Sequence, residues 1–350
     1  MKQRTYLDHA ATSPLRPEAL AAMEDAFAQW ANPSSPHAEG RKARALLEDA
    51  RDRCKAALGW DGELIFTSGA SEALAMALAR AKAGARLVSA VEHDAVLQAA
   101  KEAERLPVRP DGALDMEALA EAVQRERPLV AVQQVNSETG NAQDLAAIGT
   151  VVREAGGLLL ADCAQSGGKL ALPEADMIAI AAHKFGGPVG IGALLLRDFA
   201  MLEPVGGHER GYRRGTENLP AALGMAAALE ACPDDYLAPD VGQALTRLAE
   251  TVRGAGGVWL DERLASPTPF INALAMPKMS GTAQVMRFDM AGFAVSQGSA
   301  CSSGTMKTSH VTEAMAMEPD LATRLIRVSV GWSTTAADVD NFAEAWRSFV

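Results

Sequence analysis

Between residues 64 and 196 the chain alternates short apolar runs with longer stretches of helical periodicity. This alternation limits the possible folds more than any other feature. The apolar runs are 64–67, 86–91, 129–135, 157–161, 177–182 and 193–196, and the helical stretches between them are 72–83, 95–105, 114–125 and 144–155. Runs apolar on both faces and separated by helices predict an α/β domain built on a mostly parallel, helix-covered sheet. Ligands of such sheets bind outside the carboxyl ends of the strands. Thr67, Ser71, His93, Ser137, Asp162, Gln165, His183 and Lys184 all fall at such ends. Beyond about residue 236 the apolar runs shorten, prolines recur and a Gly/Ser-rich patch spans residues 296–304. This predicts a second, smaller α+β unit.

Composition sets the function classes to be weighed. The chain has 350 residues, of which 48% are hydrophobic, and a formal net charge of -11. That acidic balance, with no basic stripe, argues against nucleic acid or an anionic membrane as the main partner. The first nine residues lack the apolar stretch of a secretory signal, and no segment has the length of an uncharged membrane span. Cys54, Cys163, Cys232 and Cys301 stand far apart with no CxxC or Cys/His cluster, so neither a metal site nor a disulfide framework is expected. A cytoplasmic, reducing setting is expected.

The candidate site residues each admit two readings. Lys184 follows an apolar strand and leads into Phe185-Gly-Gly-Pro-Val-Gly-Ile-Gly192. A lysine there needs its charge paired or removed, and a Schiff base with an aldehyde removes it. Asp162, ending a neighbouring strand, would suit the pyridinium nitrogen of pyridoxal phosphate. Taken alone, the pair reads first as a snorkelling lysine beside a capping aspartate. Thr67-Ser-Gly-Ala70-Ser71 joins a strand to a helix and offers backbone N–H groups to an anion, or is a plain capping turn. Cys301 lies in a polar, glycine-bounded segment that favours an accessible thiol. Arg327, inside an apolar strand pattern, calls for an anion or a structural ion pair.

The ordered set of motifs resembles the cysteine desulfurases, fold type I pyridoxal-phosphate enzymes of the class V aminotransferase group. It comprises Tyr6-Leu-Asp-His-Ala-Ala-Thr12, Asn32-Pro-Ser-Ser35 with Gly40-Arg41, the Thr67 turn, Glu92-His93 and Asn136-Ser-Glu-Thr-Gly140. It continues with Asp162-Cys-Ala-Gln165, His183-Lys184, Arg210-Gly-Tyr-Arg-Arg-Gly-Thr-Glu-Asn218 and Gly298-Ser-Ala-Cys301. The resemblance implies a large cofactor-binding domain over residues 14–236. Residues 1–13 and 237–350 would form a small domain carrying a mobile cysteine loop at about 295–318. It implies that Lys184 carries pyridoxal 5'-phosphate and removes the substrate's alpha proton. Asp162 would pair the ring nitrogen, Gln165 would bond the phenolic oxygen and His93 would stack on the ring. Ala70, Ser71 and His183 would hold the phosphate, and Thr216 would reach it from the partner subunit of a homodimer with shared sites. Arg327 would anchor the L-cysteine carboxylate beside Ser137. Cys301 would take the sulfur as a persulfide, release alanine and pass the sulfur to an acceptor protein.

Four positions depart from the family pattern. Ser137 stands where asparagine is usual, Ala181 replaces a phosphate-binding serine, Ala75 replaces an asparagine and Trp332 stands where arginine is common. The alternatives are a selenocysteine lyase, another class V aminotransferase-type enzyme, or a non-catalytic dimeric binding protein on the same fold.

Overall fold

The computed structural model describes residues 4–232, 236–298 and 309–350. A short strand β1 (Thr5–Tyr6) precedes seven strands that form one sheet. These are β2 (Glu63–Thr67), β3 (Arg86–Ser89), β4 (Glu104–Leu106), β5 (Leu129–Gln133), β6 (Leu158–Asp162), β7 (Met177–Ala181) and β8 (Gly192–Leu196). Their order is β2-β8-β7-β6-β5-β3-β4. The pairs from β7 through β4 are parallel, and β8 runs antiparallel between β2 and β7. Strands β5, β7 and β8 are buried along their whole length. That burial explains their unbroken apolar sequence, because helices cover both faces of the sheet.

The helices of this unit are α1 (Pro17–Phe27), α2 (Ala38–Leu58), α3 (Ala70–Arg80), α4 (Asp94–Ala99), α5 (Met116–Ala122), α6 (Leu145–Glu154) and α7 (Leu219–Glu230). Helix α7 is buried at nearly every position. Its small alanines let it pack closely between neighbours, as expected for an alanine-rich run apolar all round. One expectation fails. The stretch 95–105 is not a single helix, because α4 ends at Ala99 and Glu104–Leu106 adds a parallel edge strand to β3. Glu104 and Arg105 are exposed at that edge, so no apolar run marked the strand.

The remaining chain forms α8 (Pro239–Gly254), β9 (Val258–Trp259), β10 (Ile271–Ala275), α9 (Gly281–Ala291), β11 (Phe293–Ala294), α10 (His310–Ala314), α11 (Pro319–Arg324), β12 (Leu325–Ser329) and α12 (Ala336–Phe349). Strands β12, β10 and β9 make an antiparallel sheet. A capping box of Thr335 and Asp338 starts α12, satisfying two helix-end donors. Phe288, Phe342 and Trp346 form a separate apolar core there. Strand β1 pairs with β11, so Thr5 and Tyr6 join this second unit. Residues 8–13 then cross to the large sheet, where Ser13 N donates to the His183 carbonyl (2.7 Å).

Candidate active site

A cleft of about 380 Å³ opens at the carboxyl ends of β2, β5, β6 and β7. That volume suits a small molecule of cofactor size. It collects eight of the residues singled out in the sequence: Ala70, Ser71, His93, Ser137, Asp162, Gln165, His183 and Lys184. Thr216 is exposed and does not line the cleft of its own chain. Arg327 lies one residue behind the wall, donating to the carbonyl of Ser137 (2.7 Å). Cys301 lies outside the described residues.

The turn between β2 and α3 forms one wall. Gly69 has φ +155, a backbone state that side chains rarely adopt, and it precedes the first turn of α3. Gly192 packs directly behind it. A Cβ on Gly192 would come within 2.7 Å of Gly69 Cα and would also strike the Ile180 carbonyl. Glycine at both positions therefore lets the turn sit close to the sheet. Helix N-termini of this kind attract anions through their unsatisfied N–H groups and dipole. The flanking Glu72 carboxylate is neutralised by Arg213 (2.9 Å) and accepts from Ser68 N.

Asp162 and His93 stand on adjacent elements. Asp162 ends β6, is buried, and accepts from Ala164 N (2.9 Å). Burial raises its pKa, opposed by the hydrogen bond from Ala164 N and by the nearby Lys184 charge. A carboxyl in this state favours a cation placed against it. His93 caps α4, with Nδ1 accepting from Ala95 N (3.1 Å). That bond fixes the neutral tautomer with its proton on Nε2. Beneath it, Glu92 is fully buried, and its Oε2 has no hydrogen-bond partner among the described residues. Burial holds its pKa well above the usual carboxylate range.

Lys184 lies in a single 3-10 turn just after β7. Its Nζ donates to the carbonyls of Ala10 (2.6 Å) and Ala11 (3.0 Å). Gln165 Nε2 donates to the same Ala10 carbonyl (2.9 Å), while Gln165 Oε1 is buried without a hydrogen-bond partner among the described residues. His183 Nδ1 meets Thr12 Oγ1 (3.2 Å), and burial next to Lys184 and Lys169 lowers its pKa to about 4. It is therefore neutral at pH 7.

Three further features that shape the site were missed in the sequence. The carbonyls of the 8–12 turn hold Lys184, although the motif offered no sign of this contact. Asp8 pairs with Arg327 across 319 positions of sequence (2.9 Å). Lys169 is buried with its Nζ over the rings of Tyr236 (5.3 Å) and Phe270 (5.1 Å). Burial, then the nearby Lys184 charge, lowers its pKa to about 7. Of the departures from pattern, Ala181 lines the cleft and adds no hydroxyl there. Ala75 faces solvent. Trp332 donates to the Pro14 carbonyl (2.9 Å) and stacks under Arg16 (5.2 Å), so it serves as a structural prop.

Comparison with known proteins adds relatives along the whole length. The family model for aminotransferase class-V matches residues 5–342. A cysteine desulfurase of Cereibacter sphaeroides is 36% identical over 98% of this chain and 94% of its own. A putative cysteine desulfurase IscS 1 of Bacillus subtilis is 33% identical over 98% and 97%. The solved NifS-like protein of Rickettsia africae superposes with TM-score 0.88 at 26% identity, covering 99% of both chains. A structure of SspA in complex with cysteine superposes with TM-score 0.81 at 28% identity, covering 93% of this chain and 99% of that one.

Proposed function

The chain belongs to the class-V aminotransferase family, and from that premise we propose that it is a pyridoxal-phosphate-dependent cysteine desulfurase. It converts L-cysteine to L-alanine and keeps the sulfur as a persulfide on Cys301. The observation that carries this reading is the convergence of Lys184, Asp162 and His93 on one cleft above the α3 N-terminus.

The residues present fit the cofactor. Gln165 Oε1 is a buried acceptor lacking a donor among the described residues. Asp162 is a buried carboxyl with a raised pKa, suited to a protonated ring nitrogen. The Gly69 turn keeps its N–H groups over the cleft only because Gly192 behind it carries no Cβ, which would strike the turn's backbone. Lys184 would hold the group covalently, Ser71 and His183 would hold its phosphate with the Ala70 turn, and His93 would lie against its ring. Thr216, exposed on its own subunit, would reach the phosphate of the second subunit in a homodimer. When bound, the cofactor supplies an electron sink for charge left by a departing alpha proton.

The protein groups do the rest. Asp162 would keep a positive charge favourable at the ring nitrogen, because a carboxylate beside a cation favours its charged form. Lys184 Nζ, steered by the Ala10 and Ala11 carbonyls, carries the alpha proton once neutral. His93 presents its Nε2 proton to the cleft. Arg327 receives the substrate carboxylate near Ser137. Cys301 attacks the substrate sulfur as a thiolate. The bond between sulfur and the beta carbon breaks, a sulfur–sulfur bond forms, and the beta carbon takes a proton to complete alanine. Cysteine and one thiol thus give alanine and one persulfide, with each of the two sulfurs oxidised by one electron and the beta carbon reduced by two. An acceptor protein or a reductant then removes the outer sulfur.

The test is direct. Holoenzyme given L-cysteine and a reducing thiol should release alanine and sulfide in equal amounts. Lys184→Ala should release neither. Absence of alanine from the wild type contradicts the assignment.

A further inference from the structure

Arg327 sits on β12 with its side chain buried, and its guanidinium holds two partners. Nη2 donates to Asp8 Oδ1 (2.9 Å) and Nη1 donates to the Ser137 carbonyl (2.7 Å). Nε is buried with no hydrogen-bond partner among the described residues. A guanidinium stays charged at any working pH, so a carboxylate beside it satisfies a standing need. Asp8 supplies that carboxylate from the turn whose carbonyls hold Lys184 and Gln165.

A substrate carboxylate arriving at Arg327 meets one already there. Two carboxylates on one guanidinium repel each other, so one must leave. Asp8 is built to leave. Its side chain is 18% exposed against 7% for Arg327. Its backbone is fixed independently, with its carbonyl accepting from Tyr6 Oη (3.1 Å) and Ala11 N (3.0 Å). The carboxylate can therefore swing toward solvent while the turn stays in place.

We propose that Asp8 is a positioning residue that competes with the substrate carboxylate for Arg327 and so sets how tightly the amino-acid substrate binds. This inference rests on the desulfurase reading given above. Exchange of like for like lets a free amino acid displace Asp8 at modest cost. An amine lacking a carboxylate has nothing to exchange and leaves the ion pair closed. Asp8 thus weakens binding of ligands that carry the acid group and leaves amines without it unaffected.

The experiment compares wild-type holoenzyme with Asp8→Asn, Asp8→Ser and Asp8→Glu. Calorimetry measures binding of L-alanine and of L-alaninamide, which lacks the carboxylate, and steady-state kinetics give KM and kcat for L-cysteine. Removing the competitor should tighten L-alanine and lower the KM for L-cysteine by roughly tenfold, the scale of one charged hydrogen bond. L-alaninamide should be unchanged. Asp8→Glu should bind like the wild type, because it restores the competing charge. Asp8→Ser guards against a folding defect peculiar to Asp8→Asn. Weaker or unchanged L-alanine binding in both neutral variants overturns the inference, as does an equal shift for both ligands. Wild type that makes no alanine from L-cysteine overturns the functional reading instead, while the binding comparison still decides the role of Asp8.

Discussion

Glu209 should be the most costly single carboxylate to neutralise in the large unit. Its side chain is 1% exposed and its ion-pair partner Arg51 is 3% exposed. The carboxylate takes Arg51 Nη1 at 2.8 Å, Arg51 Nη2 at 3.2 Å and the backbone N–H of Phe66 at 2.8 Å. Arg51 in turn bonds the Leu64 carbonyl (2.6 Å) and lies over the Phe66 ring (4.9 Å). This pair ties α2 to β2 and to the start of the 209–218 segment. Glu209→Gln keeps the shape and leaves the buried guanidinium with only the half-buried Glu48 carboxylate at its Nε (3.2 Å). Breaking one side of a buried pair costs about 3–5 kcal/mol. Unfolding entropy of about 2 cal/mol/K per residue converts that cost to a Tm loss of roughly 4–7 °C in a chain of this length. Urea denaturation and calorimetry measure both quantities. The double variant Arg51→Met/Glu209→Leu should recover most of the loss, since an apolar pair removes the stranded charge along with its partner. A loss below about 1 kcal/mol for Glu209→Gln, or no recovery in the double variant, would refute the argument.

Gly192→Ala should push the Gly69 turn outward by a good fraction of an ångström, cost about 1–3 kcal/mol of stability and weaken cofactor retention. Gly242→Ala on α8, where an added Cβ meets nothing within 4 Å, is the control expected to retain the cofactor normally. Spectral titration of the apoprotein with pyridoxal phosphate reads both. Lys169 gives a pH dependence. Its folded pKa of about 7 lies below the value near 10.4 of an unfolded lysine. Between those pH values the unfolded chain binds the extra proton, so this group's contribution to stability rises with pH. Its penalty is full below pH 7 and gone above about pH 10.4. Lys169→Met should therefore gain most over wild type near pH 6 and lose that advantage by pH 10; a difference constant with pH refutes the assignment.

The parts of the fold that could be read in the sequence were those set by local burial. Strands β5, β7 and β8 are buried along their full length, so their apolar runs were plain, and the polar residues just beyond β2, β6 and β7 marked the cleft. Strand β4 was hidden because it is an exposed edge, and its Glu104-Arg105 pair carries no β pattern. Asp8 with Arg327, and Lys184 with Ala10, join residues more than 170 positions apart. Such contacts follow from the crossing of residues 8–13 between the two units, which no local pattern encodes. Lys169 carries no local signal of its burial, because its aromatic neighbours Tyr236 and Phe270 come from elsewhere in the chain.

The central claim is that sulfur from L-cysteine is carried on Cys301. The most direct measurement is the mass of every cysteine-containing peptide after brief exposure of the holoenzyme to L-cysteine without reductant. The account predicts one additional sulfur atom on the peptide containing Cys301 and none on those containing Cys54, Cys163 or Cys232, the first two of which are buried. Alanine formed with no added sulfur on Cys301, or sulfur placed on another cysteine, would contradict it.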